Sequence, residues 1–319
     1  MSLGEFDLIE KFFTRRVTRA ALGVGDDCAL FAASPGMQLA VSSDMLVEGR
    51  HFLPTVAPQR LGHKALAVNL SDLAACGARP VAFTLALALP RVDEDFLGGF
   101  ARGLLALADA HECELIGGDT TQGPLNICIT VFGEVPVGTA LLRSGAQAGD
   151  DLYVSGTLGD ARLALEVFRG TLSLAGAAFD AVRGAMEQPQ PRVALGMALR
   201  GMATSAIDVS DGLLGDLAHV LRRSGVGAEL NVDAVPRSEV LRAHTPAWQR
   251  TCTLAGGDDY ELVFTASPHR AQAVAAAARS VSVNVTRIGR IEAAPGLRLV
   301  DAQGHSVPHT FGSFDHFKA

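Results

Sequence analysis

Two pairs of short acidic words, set at equal intervals in the two halves of the chain, constrain the fold more than any other feature. Asp72 of Ser71-Asp72 precedes Asp119 of Gly117-Gly118-Asp119 by 47 positions, and Asp211 of Ser210-Asp211-Gly212 precedes Asp258 of Gly256-Gly257-Asp258-Asp259 by 47 again. The flanking sequence matches only loosely, so an ancient duplication and a coincidence of short words both fit. With 319 residues the chain is long enough for two domains, each burying its own core.

The segment Ala206 to Leu214 shows what these words imply locally. An apolar lead-in ends in Asp208, which places that acid at a strand end, and Ser210 or Asp211 is set to cap a helix whose apolar positions run from Leu213 to Leu221. Carboxylates gathered at such an end repel one another unless a divalent cation or hydrogen-bond donors offset them. A capped helix start alone would explain this one stretch. Similar words recur earlier: Gly25-Asp26-Asp27 leads into a strand-like Cys28-Ala29-Leu30, and a strand from Gln38 ends in Ser42-Ser43-Asp44. Leu61 to Cys76 is almost wholly apolar or small, with Gly77 placed as a C-cap, and reads as a buried helix. Asn69, Ser71 and Asp72 are polar within it, so a metal, a base or a cavity mouth should face Asp72.

The first half continues as an α+β unit with one sheet and helices on one face. It comprises an amphipathic helix over Phe6–Phe13, strands over 80–90 and 125–135, a helix over 93–111 and a strand running into Gly117-Gly118-Asp119. A boundary falls near 138–149, giving domains 1–137 and 138–319, with Arg143 beyond it as a candidate phosphate clamp. The second half reads as α/β: strand 152–155, a glycine turn at 156–159, helices over 160–169, 192–199 and 268–279, strands over 229–232 and 260–265, and an aromatic tail over 311–317.

Composition excludes several classes. The net charge is −7, and the 27 basic residues include three lysines, Lys11, Lys64 and Lys318, none in a Gly-x4-Gly-Lys-Ser/Thr loop or a kinase-like strand. A Gly-x-Gly-x-x-Gly fingerprint is absent, and no basic stripe supports nucleic-acid binding. Polyphosphate binding by such a chain requires bridging metal ions, with arginine as helper. No apolar run approaches the roughly 20 residues that span a bilayer, and the N-terminus carries no signal-peptide core. The five cysteines, odd in number and without a Cys-x-x-Cys pair, predict reduced thiols in a cytoplasmic protein.

Taken together, Gly25-Asp26-Asp27, Ser42-Ser43-Asp44, Glu48-x-x-His51-Phe52, Asn69-x-Ser71-Asp72, Gly117-Gly118-Asp119-Thr120, Arg143-x-Gly145-Ala146, Asp208-x-Ser210-Asp211-Gly212 and Gly256-Gly257-Asp258-Asp259-Tyr260-Glu261-Leu262 resemble the thiamine-monophosphate kinase family, collinearly over nearly the full chain. The resemblance implies a two-domain aminoimidazole ribonucleotide synthetase-like fold, α+β and α/β, whose N-terminal domain forms a dimer sheet in a homodimer. It implies ATP as co-substrate and several Mg2+ ions, with Asp27, Ser42, Ser43, Asp44, Asp72, Asp119, Asp208 and Asp211 among their ligands. Gly118, Asp119, Arg143 and Ser210 would touch ATP, and His51, Asp258 and Phe314 the substrate. Two positions depart from the family, which commonly has Glu at 258 and Tyr or Trp at 314. The implied reaction moves the γ-phosphoryl group of ATP onto the phosphate of thiamine monophosphate, with no side chain as general base because the acceptor oxygen is already ionised. Two alternatives stand beside it: a synthetase of the same fold with another acceptor, and a regulator that holds Mg-ATP without transfer.

Overall fold

A computed structural model of the chain describes residues 4–312. They divide into two compact units, one running to Leu73 and continuing over Ala78–Gly138, the other comprising Ala74–Gly77 and the residues from Thr139 onward. Among the described residues no helix is long and apolar enough to cross a membrane.

The first unit contains α1 (Glu5–Phe12), β1 (Met37–Val47), α2 (Pro58–Ala75), β2 (Arg79–Leu89), α3 (Glu94–Ala110), β3 (Glu114–Gln122) and β4 (Asn126–Pro136). Its four strands lie in the order β1-β4-β2-β3, with β2 and β3 parallel and the other pairs antiparallel. The parallel pair requires a crossover, which α3 supplies; the Asp93 carboxylate caps that helix by accepting the Phe96 N–H at 3.1 Å. Helices α2 and α3 cross almost backbone to backbone. A Cβ at Gly62 would sit 2.0 Å from the Phe100 carbonyl oxygen, and one at Gly103 would sit 1.8 Å from that of Gln59. The expected buried helix is α2, with Leu66 and Leu70 wholly enclosed. Along β1 alternate residues face opposite sides, and Leu39, Val41 and Met45 remain 42%, 57% and 53% exposed, so one face of the sheet lacks a cover within the unit.

The second unit contains β5 (Asp151–Ser155), α4 (Asp160–Phe168), α5 (Gly176–Glu187), α6 (Val193–Ala198), β6 (Ser205–Asp208), α7 (Leu213–Ser224), β7 (Gly227–Asn231), α8 (Glu239–Arg242), α9 (Pro246–Ala255), β8 (Leu262–Ala266), α10 (Ala271–Ser280), β9 (Val285–Glu292) and β10 (Gly296–Val300). Its six strands lie in the order β10-β7-β9-β5-β8-β6. Strands β5 and β8 inside the sheet and β6 at its edge are buried along their whole length, as expected of strands covered on both faces. Leu152, Val154, Ile207, Leu217 and Val263 form part of the core. Pairing of β8 with both β5 and β6 brings the end of β5, the end of β6 and the start of β8 to one edge of the sheet.

Three expectations are corrected. Cys28-Ala29-Leu30 is no strand: the segment makes isolated bridges, Leu22 with Leu30 and Val24 with Asp26. Asp72 is only half-buried, because it lies near the end of α2 beside β1. Gly212, with φ of 114°, is the N-cap of α7, and neither Ser210 nor Asp211 caps it; the reason lies in Asp216, described below.

Candidate active site

In the first unit the side chains of β1 and α2 meet. Ser42 and Asp44 are two residues apart on β1 and therefore share the face toward the helix. The Ser42 hydroxyl donates to the Asp72 carboxylate, and the Asp44 N–H donates to Asn69 Oδ1 at 3.0 Å while Asn69 Nδ2 donates to the Ala65 carbonyl at 3.0 Å. Asn69 is thus the bracket that fixes β1 against α2. Ser43 points the other way, donating to the Ile129 carbonyl at 3.2 Å and lying 3.0 Å from the Thr130 hydroxyl, so the structure does not bring its side chain into this set. Asp27 is exposed, its N–H bonded to the neighbouring Asp26 carboxylate at 2.9 Å.

Gly118 and Asp119 lie on β3 in register with Leu85 and Ala86 of β2. A Cβ at Gly118 would stand 1.8 Å from the Leu85 carbonyl oxygen, and the residue has φ of 152°, so glycine is required there. Asp119 is exposed. His51 belongs to the turn after β1: its Nδ1 accepts the Val47 N–H at 3.0 Å, and its carbonyl accepts from the buried Lys64 ammonium at 3.1 Å. These contacts give His51 a part in shaping the turn.

In the second unit the site loops are bound to one another. Asp208 closes β6 at 4% exposure. From the following loop the Val209 carbonyl accepts the Tyr260 N–H at 2.8 Å, the Ser210 carbonyl accepts the Asp258 N–H at 2.9 Å, and the Val209 N–H donates to the Glu261 carbonyl at 2.8 Å. A Cβ at Gly257 would lie 2.4 Å from the Ser210 oxygen, so glycine there lets these backbones touch, whereas one at Gly256 would lie 2.2 Å from the Cys252 oxygen of α9. Asp258 and Tyr260 both adopt left-handed backbone, with φ of 66° and 50°, and the Tyr260 hydroxyl donates to Asp258 Oδ1 at 3.0 Å. Two strained non-glycine residues in one turn mark a conformation held by its surroundings.

Those surroundings are acids and arginines that sequence reasoning did not single out. Asp259, between the two strained residues, accepts the Gly159 N–H at 2.9 and 3.1 Å. Burial of its carboxyl group, followed by the charges of Asp160, Glu261 and Asp258, holds its pKa well above the ordinary value against that bond. Glu261 is gripped by Arg192 through both carboxylate oxygens and receives the Ser155 hydroxyl at 2.5 Å. The Asp216 carboxylate accepts the N–H groups of Ser210, Asp211 and Gly212, and burial together with the charge of Asp211 pushes its pKa up to about 7 despite these bonds. Arg143 is exposed; its carbonyl accepts from Ser224 Oγ at 3.4 Å. The His219 pKa is lowered by burial, then by Arg222 and Arg143, with Asp211 opposing, which puts Arg143 and Asp211 within electrostatic reach of one imidazole. Phe314 lies outside the described residues.

Each unit therefore carries an oxygen-rich set: Ser42, Asp44, Asn69 and Asp72 in the first, and Asp208, Ser210 and Asp211 in the second. Among the described residues no three His, Cys, Asp or Glu side chains stand close enough to hold a metal ion by themselves. The donor chemistry still suits magnesium, which takes one or two carboxylates and completes its shell with water and phosphate oxygens.

This arrangement belongs to a known class. Family models described as the N-terminal and C-terminal domains of AIR synthase related protein match residues 25–135 and 147–302. The chain is 44% identical to the thiamine-monophosphate kinase of Salmonella typhimurium over 99% of both chains, and equally to that of Escherichia coli K12. The crystal structure of thiamine-monophosphate kinase from Stenotrophomonas maltophilia K279a superposes with a TM-score of 0.88 at 45% identity, covering 96% of this chain and 99% of that one. A solved complex described as AaThiL with AMPPCP and TMP gives 0.79 at 29% identity, covering 90% of this chain and 89% of that one. Within the AIR synthase-related class, the chain belongs to the thiamine-monophosphate kinase family.

Proposed function

We propose that the protein transfers the γ-phosphoryl group of ATP to the phosphate of thiamine monophosphate, forming thiamine diphosphate and ADP. The observation that carries this reading is the oxygen-only donor set in a chain whose lysines form no phosphate-binding motif; relatives of the same length carry the kinase name, and a fold neighbour is a complex with an ATP analogue and TMP. Both reactants are anions. Catalysis then depends on in-line positioning and on neutralising charge at the transferred group.

Asp27, Ser42, Ser43, Asp44, Asp72, Asp119, Asp208 and Asp211 are proposed to hold magnesium, Ser43 through its backbone carbonyl since its hydroxyl is engaged across the sheet. Magnesium, when bound, supplies positive charge to the phosphate oxygens. Ser210, Gly118, Asp119 and Arg143 bind ATP. Gly118 lets backbone approach the nucleotide where a side chain would not fit, and Arg143, exposed on its loop, is free of the geometric limits of a buried ion pair and suits a bidentate phosphate contact. His51, Asp258 and Phe314 orient thiamine monophosphate. Asp258, one methylene shorter than the glutamate usual in the family, already accepts from the Tyr260 hydroxyl, which fixes its reach. No residue need act as general base.

The domains proposed are 1–137, which also dimerises, and 138–319. Support for a homodimer is the uncovered sheet face bearing Leu39, Val41 and Met45. A cytoplasmic location fits five cysteines that are free in the structure. Product analysis tests the reading: incubation with ATP, Mg2+ and thiamine monophosphate should yield equimolar thiamine diphosphate and ADP. Tight ATP binding without product would instead favour a regulator, and turnover with a different acceptor a related synthetase.

A further inference from the structure

Asp216 has no part in the reaction described above, yet it is among the most heavily bonded carboxylates of the second unit. It lies in the first turn of α7 at 4% exposure, and its Oδ2 atom accepts from the N–H groups of Ser210 at 3.0 Å, Asp211 at 3.1 Å and Gly212 at 3.1 Å. An acid in the first turn ordinarily complements the positive end of its own helix. Here all three donors precede the helix, in the loop that carries Ser210 and Asp211.

The same loop is held from the other side. The Ser210 carbonyl accepts from the Asp258 N–H at 2.9 Å, and Gly257 packs so tightly on that carbonyl that a Cβ would lie 2.4 Å from its oxygen. Both backbone polar groups of Ser210 are therefore committed to the protein, and the Asp211 N–H with them. The loop reaches a ligand through its side chains, whose direction is set by the peptide planes that Asp216 holds. An isosteric amide at 216 would keep the packing but would set an NH2 group, which can only donate, beside three N–H donors that now share one carboxylate oxygen, and so would loosen the loop.

We propose that Asp216 is a positioning residue of the nucleotide site: by gathering three consecutive amides on one carboxylate oxygen it sets where Ser210 and Asp211 present their oxygens to Mg-ATP, without itself touching the nucleotide. The proposal rests on the reading of Ser210 and Asp211 as nucleotide and magnesium contacts. Residues that orient ligands from behind typically change metal affinity by about 10–100-fold when replaced.

The test uses the full-length protein and Asp216→Asn, with binding of Mg-AMPPCP followed by calorimetry and folding followed by thermal melting. The expected result is a folded variant whose dissociation constant for Mg-AMPPCP rises about 10–100-fold, while the KM for thiamine monophosphate moves by less than about threefold. A folded variant that binds Mg-AMPPCP as wild type does would overturn the proposal. If wild type itself binds no Mg-AMPPCP, the nucleotide reading fails and the proposal falls with it. Should the variant not fold, amide exchange on wild type decides: the amides of Ser210, Asp211 and Gly212 should be protected like those of α7 before nucleotide is added. Protection that arises only on adding Mg-AMPPCP would show that the ligand, and not Asp216, orders the loop.

Discussion

At the scale of single residues, two glutamates with no part in the candidate site, Glu134 buried and Glu114 half-buried, tie down the segment that precedes β1. Glu114 accepts the N–H groups of Thr18, Arg19 and Ala20 and the Thr18 hydroxyl, and Glu134 accepts from Arg19, Arg79 and Ser34. Burial penalises both charges, but the hydrogen bonds from Thr18 to Glu114 and from Ser34 to Glu134, with the bonds that follow, outweigh it and leave both pKa values lowered. A carboxylate with a lowered folded pKa contributes stability that is complete above the unfolded value of about 4.3 and is lost as pH falls through the folded value. Amide protection factors at Thr18, Arg19 and Ala20 should therefore hold steady above about pH 5 and fall in acid ahead of those in α2; a profile parallel to α2 would refute this. At this scale several of the candidate oxygen donors stood out in the sequence. Asp72, Asp208, Ser210 and Asp211 announced themselves as acids and hydroxyls in apolar surroundings. Asp216 and Asp259 did not, because their work is to receive backbone amides from distant or looping segments, and nothing in a residue's neighbours in sequence records which amides fold onto it.

At the scale of elements, long periodic segments read true: α3 with its Asp93 cap, α2 with its all-round burial, and strands β2 and β4. Helices α8 and α9 went unread, although Thr245-Pro246 is a recognisable helix start in which Thr245 accepts the Trp248 N–H. The cap of α7 falls at Gly212 for a local reason: Asp216 reaches back over the helix start to the N–H groups of Ser210, Asp211 and Gly212, which folds that loop onto the helix. The two glycine pairs act differently in physical terms. Gly118 relieves a contact within the β2–β3 ladder, whereas Gly257 relieves one between two loops. Gly257→Ala should therefore push the Ser210 loop away from the start of β8. We expect a loss of about 1–3 kcal/mol of stability together with weakened nucleotide binding, measured by chemical denaturation and calorimetry on the same variant. Unaltered values in both would mean that the loops separate without consequence.

At the scale of the whole molecule, the uncovered face of the first sheet and the acid-rich loops of both units are what remain after the cores are accounted for. If that face joins two copies, Val41→Asp, which places a charge on its exposed centre, should convert a dimer into a monomer in sedimentation equilibrium while leaving the thermal unfolding of the unit cooperative. Wild-type protein that sediments as a monomer would contradict the dimer. A net charge of −7 opposes the approach of two phosphate compounds, so the account stands or falls on whether the carboxylates bind cations together with the nucleotide. The most direct measurement is equilibrium binding of Mn2+, in place of Mg2+, in the presence of AMPPCP, comparing wild type with Asp72→Asn. The account predicts more than one ion bound per wild-type chain, and at least one fewer, with loss of thiamine diphosphate formation, in a folded Asp72→Asn variant. An Asn variant that binds the same number of ions and turns over like wild type would contradict it.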